Sequence, residues 1–142
     1  MKTKIMSKPF IKKLILSGKF PSNTAVLSFY GEFQEKMNFP PNIKHLCLCI
    51  DDFRTMWEVE NPETFHIPDF ERAARFVLEC EKLGLDIICQ CEAGHSRSAG
   101  ASMAIEEFYN HDGIKIFADY LYSPNPIFYN NLYNCLNKIR YK

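Results

Sequence analysis

The chain has 142 residues, 46% of them hydrophobic, the usual size of one domain with a buried core. Seventeen Lys and Arg cancel seventeen Asp and Glu, so no overall field draws the chain to nucleic acid or an anionic membrane, and anion recognition has to be local. The basic start Met1-Lys2-Thr3-Lys4-Ile5 is followed by Ser7, Lys8, Pro9, Lys12 and Lys13, which interrupt any signal-peptide core. No run approaches the ~20 apolar residues of a membrane span. A cytoplasmic monomer is expected, with no membrane or nucleic-acid partner, and Cys47, Cys49, Cys80, Cys89, Cys91 and Cys135 as reduced thiols.

Phe10, Ile11, Leu14 and Ile15 recur at helical spacing until Gly18 and predict a short helix. A buried strand is expected over Thr24–Tyr30, and a second over His45–Ile50 after the Pro40-Pro41-Asn42 loop, ending at Asp51 and Asp52. Phe53 to Ile67 has no period and reads as a long loop, with Trp57 a candidate for the rim of a cleft. Pro68 suits a first helical turn, and Phe70, Ala73, Ala74, Val77 and Cys80 continue a helix to near Gly84. Leu85–Gln90 is a short apolar run suited to a buried parallel strand. Helices follow over Ala99–Tyr109 and Ile114–Tyr122. After the Ser123-Pro124-Asn125-Pro126 break, Phe128, Leu132, Cys135, Leu136 and Ile139 mark an amphipathic helix.

This alternation predicts one α/β domain over residues 1–142, with a central, mostly parallel sheet of about four to five strands flanked by helices. Sites in such sheets collect at the carboxyl ends of strands, where Asp51, Asp52 and Cys91 all fall. A strand, then a loop of small residues with a glycine, then a helix turns successive backbone N–H groups toward an anion. Cys91-Glu92-Ala93-Gly94-His95-Ser96-Arg97-Ser98 has that setting. A cysteine near a helix N-terminus has a lowered pKa, and Arg97 can return a planar pair of donors to the same anion.

The Cys-x5-Arg-Ser spacing resembles the signature of the cysteine-dependent protein tyrosine phosphatases, in particular their compact dual-specificity branch of microbial and viral members. Ile50-Asp51-Asp52 resembles the strand end that bears the acid, and Pro124-Asn125 with the last helix resembles the C-terminal part. The likeness spans residues 24 to 140 and is dense from Ile87 to Ile105.

The resemblance implies a phosphatase acting on phosphotyrosine alone, or on phosphotyrosine and phosphoserine or phosphothreonine, without metal or organic cofactor. In it Cys91 is the nucleophile that forms a phosphocysteine. Arg97 and the N–H groups of Glu92, Ala93, Gly94, His95 and Ser96 hold the phosphate. Ser98 hydrogen-bonds the thiolate, and Asp52 is the general acid, with Asp51 as the alternative.

Gln90 stands where the family usually has histidine, which predicts a higher thiol pKa and slower attack than in the family. His95 is expected to face the loop exterior. Cys47/Cys49 and Cys89/Cys91 would each share a strand face, but the spacing is not that of a zinc ribbon, so no metal is expected. Tyr120 and Tyr122 are further cleft candidates, although aromatics in so small a domain more often pack in the core. Lys82, Lys115 and Lys138 read as solvated charges. The competing readings are a phosphate-binding module without turnover, a rhodanese-like sulfur transferase, and a phosphatase for phosphoinositide, nucleotide or RNA 5′-phosphate.

Overall fold

The computed structural model describes residues 1–55 and 65–140. Strands β1 (Thr3–Ser7), β2 (Thr24–Tyr30), β3 (His45–Cys49) and β4 (Asp86–Cys91) form one four-stranded sheet in the order β1-β4-β2-β3. Every pairing in it is parallel. Helices α1 (Lys8–Leu16), α2 (Ile67–Lys82), α3 (Arg97–Asn110), α4 (Ile114–Phe117) and α5 (Pro126–Arg140) connect and flank the strands.

Side chains alternate across the sheet as the pleat requires. Ala25, Leu27 and Phe29 of β2 and Ile87, Cys89 and Cys91 of β4 enter the large core with residues of α2, α3 and α5. Val26 and Ile88 point the other way, into a smaller core with Ile11 of α1. With both faces covered, β2 and β4 need continuous apolar sequence, which is what made them readable. Phe128 of α5 lies edge-on to Phe29 at 5.0 Å and to Phe70 at 5.3 Å, joining the sheet, α2 and α5. Its truncation to alanine would cost about 3–5 kcal/mol.

The sequence reading missed β1, which pairs with β4 in the register Thr3↔Ile87 to Ser7↔Cys91. Thr-Lys-Ile-Met-Ser is a half-buried edge strand without a clean apolar run. Glu106 of α3 fastens it: the buried carboxylate accepts from Thr3 N at 2.9 Å and Thr3 Oγ1 at 2.7 Å. The same carboxylate accepts from Asn110 Nδ2 at 2.8 Å and pairs with Lys115 Nζ at 3.2 Å. Lys115 is therefore not simply a solvated charge, whereas Lys138 meets Glu71 only at 3.9 Å and Lys82 is exposed.

α4 is shorter than the expected Ile114–Tyr122 helix. It stops at Phe117, and the chain leaves through turns in which Asp119 N donates to Ile116 O and Tyr122 N to Asp119 O. Of the loop expected over residues 53–67, the described part is irregular up to α2. Trp57 lies outside the described residues.

Candidate active site

Register places the carboxyl ends of three strands together, with Ser7↔Cys91 across β1 and β4 and Ser28↔Gln90 across β2 and β4. From Cys91 the chain turns through residues 92–96 into α3, whose first residue is Arg97. Gly94 makes the turn possible. Its φ is +65°, and a Cβ there would sit 2.4 Å from Ser7 N, so a side chain meets both backbone strain and a collision with β1. Lys8 N donates to Glu92 O at 3.1 Å, and Lys8 Nζ lies 3.9 Å from the Glu92 carboxylate, so the start of α1 braces the loop.

Cys91 Sγ is buried and lies 3.1 Å from Ser98 Oγ. Burial is the largest single influence on this thiol and raises its pKa, but hydrogen bonds from Ser98 and from the backbone at Ser98, His95 and Gly94 outweigh it. The net result is a pKa below the ordinary thiol value, because these donors favour the anion. The other five thiols are all pushed up, chiefly by burial, Cys80 to about 11. Cys91 is thus the one cysteine of the six whose pKa is lowered rather than raised.

Gln90 does not reach the sulfur. Its Oε1 accepts from Ser28 Oγ, and its Nε2 donates to Cys91 O at 3.0 Å, so it fixes the strand end by neutral hydrogen bonds alone.

Arg97 is only 6% exposed. One terminal nitrogen, Nη1, donates to Ile50 O at 3.2 Å, while the buried Nε–H has no partner among the described residues. A buried unpaired donor on a cation is costly. An oxyanion held by the loop would satisfy it and would also meet the N-terminus of α3.

The two aspartates separate cleanly. Asp51 Oδ1 accepts from Glu32 N at 3.0 Å, closing the turn after β2. Asp52 Oδ1 accepts from Ser96 Oγ at 2.7 Å and from Asn125 Nδ2 at 2.8 Å, which ties it to the phosphate-loop candidate. Arg54 Nη1 donates to Ser96 Oγ at 2.8 Å, so loop and acid share a network.

Sequence reading missed Asn125 as a member of this network. It is fully buried, donates to Asp52 and to Phe53 O, and with Oδ1 caps the start of α5 at Ile127 N and Phe128 N. An asparagine before an apolar helix is a capping signal, although the bond to Asp52 has none. Gly100 lets α3 approach closely, since a Cβ there would lie 2.5 Å from Asn125 O.

His95 is exposed, with Nδ1 3.0 Å from Leu121 O, as expected of a residue on the loop exterior. Tyr122 lines a groove beside Ala93 and Gly94, and Tyr120 is exposed rather than in the core. The four-stranded parallel sheet, the loop between a strand and a helix, and the helices on both faces define an α/β fold with an anion-binding loop candidate at the carboxyl edge of its sheet.

Comparison with solved structures makes it, more particularly, a dual-specificity phosphatase-like fold. DUSP15 matches with a TM-score of 0.67 at 18% identity over 99% of this chain and 91% of its own. The human tyrosine phosphatase-like serine/threonine/tyrosine-interacting protein matches with a TM-score of 0.61 at 21% identity over 96% of this chain and 87% of its own. PTPMT1 in complex with PI(5)P matches with a TM-score of 0.60 at 16% identity over 99% and 93%. No family model and no curated protein sequence matches the chain.

Proposed function

We propose that the protein is a cysteine-dependent phosphoric monoester hydrolase of the cytoplasm that acts on phosphotyrosine, and on phosphoserine or phosphothreonine, in proteins. The observation that carries this reading is Cys91. Its thiol lies beside Ser98 and is lowered by the donors of a loop that ends in Arg97, whose buried Nε–H lacks a partner among the described residues.

In the proposed reaction the Cys91 thiolate attacks phosphorus in line, and the S–P bond forms as the ester P–O bond breaks. Asp52 gives its proton to the departing oxygen. Among the described residues Asp52 accepts its hydrogen bonds on Oδ1, and Oδ2 is the oxygen assigned to carry that proton. Arg97 and the N–H groups of residues 92–96 hold the three nonbridging oxygens, and their fixed charge supplies the electrostatic stabilisation. In the second step water attacks phosphorus and Asp52 takes its proton. The S–P bond then breaks, and Ser98 steadies the returning thiolate.

The test is phosphate release from p-nitrophenyl phosphate and a phosphotyrosine peptide, in chelator, by wild type, Cys91→Ser, Arg97→Ala, Asp51→Asn and Asp52→Asn. The first two variants should lose turnover. Asp52→Asn should fall by about 10²–10⁴-fold, with Asp51→Asn close to wild type. A folded wild type that binds vanadate but never turns over would make the protein a phosphate-binding module instead.

A further inference from the structure

The formal neutrality of the chain conceals a segregation of charge. Residues 1–20 carry Lys2, Lys4, Lys8, Lys12, Lys13 and Lys19 and no aspartate or glutamate. Lys8 is buried, with Nζ donating to Glu35 O. Among the described residues, no carboxylate forms an ion pair with the other five ammonium groups.

The outward face of α1 is unusual for a surface helix. Ile11 is buried and Leu14 and Ile15 are half-buried toward the sheet, whereas Pro9, Phe10, Lys12, Lys13 and Leu16 are exposed. At about 100° per residue, Lys12, Leu16, Pro9, Lys13 and Phe10 follow one another around that outward arc. Cationic and apolar groups therefore share it with no acid between them. Leu16 is 87% exposed and Phe10 58%.

A groove of about 960 Å³ follows β1, with Phe10 and Leu14 of α1 in its lining together with Ile116 of α4 and Tyr122. The segment from α4 onward adds exposed Ile114, Phe117, Tyr120 and Leu121. Six of the eight large hydrophobic side chains exposed among the described residues thus belong to α1 and to residues 114–121, a concentration that marks an interaction surface rather than chance scatter.

We propose that α1 and the rim from Ile114 to Leu121 form a peripheral docking face for an anionic lipid bilayer. Leu16, Ile114 and Leu121 carry no hydrogen-bonding or stacking group and gain where they leave water for an apolar phase, as at the acyl boundary of a bilayer. The unpaired lysines beside them gain from the negative surface potential of the same boundary. A nucleic acid would reward the lysines and leave the aliphatic groups exposed.

This departs from the expectation of no membrane partner, because net charge averages over a chain whose first twenty residues carry six lysines and no acid. Ala93 and Gly94 line the same groove, and the Leu121 carbonyl faces His95 of the loop. A docked protein therefore holds its phosphate-loop candidate beside the membrane surface. The proposal makes no assumption about turnover and is read independently of it.

The experiment is co-sedimentation of the full chain with sucrose-loaded phosphatidylcholine vesicles, with and without phosphatidylserine, at low and high salt. Wild type should pellet with the anionic vesicles only and be released by salt. Lys12→Glu/Lys13→Glu should reduce partitioning about tenfold or more, and Leu16→Asp should also reduce it. Both variants should keep wild-type circular dichroism and wild-type behaviour toward p-nitrophenyl phosphate. Failure of wild type to pellet at low salt, equal pelleting of both variants, or retention on RNA or an acidic protein with vesicles ignored would overturn the proposal.

Discussion

Replacing Ser98 by alanine isolates the contribution that most clearly sets Cys91 apart. The hydroxyl is fully buried and 3.1 Å from Sγ, so in the variant no water replaces it. A hydrogen bond to a charged group contributes about 1.5–3 kcal/mol, and one pKa unit corresponds to about 1.4 kcal/mol. The Cys91 pKa should therefore rise by about one to two units in Ser98→Ala. The sign follows from the donor stabilising only the thiolate. The assay is the rate of iodoacetamide alkylation against pH, with Cys91→Ser as background for the other thiols, which burial pushes up. The profile should move to higher pH with its plateau retained. An unmoved or lowered midpoint would refute the reasoning and leave the backbone donors as the whole cause.

Asn125→Ala removes both the α5 cap and the bonds to Asp52 and Phe53. Urea unfolding should show a loss of about 2–4 kcal/mol, with kcat falling because the acid is no longer held. Glu106→Gln should cost about 1–3 kcal/mol at neutral pH by loosening β1 from α3. Burial raises the pKa of Glu106, but the bonds from Thr3, Asn110 and Lys115 outweigh it and lower the pKa overall. Its stabilisation is therefore full above the ordinary carboxylate value and disappears as pH falls through the depressed one. The stability gap between variant and wild type should close on acidification. A gap that widens would contradict the assignment.

The parts legible in sequence were those with a local cause. The apolar run of β4 passing into Gly94, Ser96 and the small residues of α3 encodes its own turn, and the loop of the candidate site was readable there. Long-range causes were not. β1 pairs with a strand more than eighty residues later and is only half-buried, so its five residues carry no strong periodicity.

Asp51 and Asp52 are adjacent and chemically identical. Only the fold shows one closing the β2 turn on Glu32 and the other joined to Ser96 and Asn125. Lys115 read as solvated because its partner, Glu106, is buried beneath it. Tyr120 read as a cleft candidate or a core aromatic, and its exposure became visible only when α4 ended early.

The central claim is covalent catalysis at Cys91, and the most direct measurement is mass spectrometry of protein acid-quenched during turnover of a phosphotyrosine peptide. Ser98→Ala should be used beside wild type, since slower departure of the thiolate lets the intermediate accumulate. The account expects a phosphate adduct that maps to Cys91, is larger in Ser98→Ala and is absent in Cys91→Ser. Sustained phosphate release with no adduct on Cys91 in either protein would contradict it.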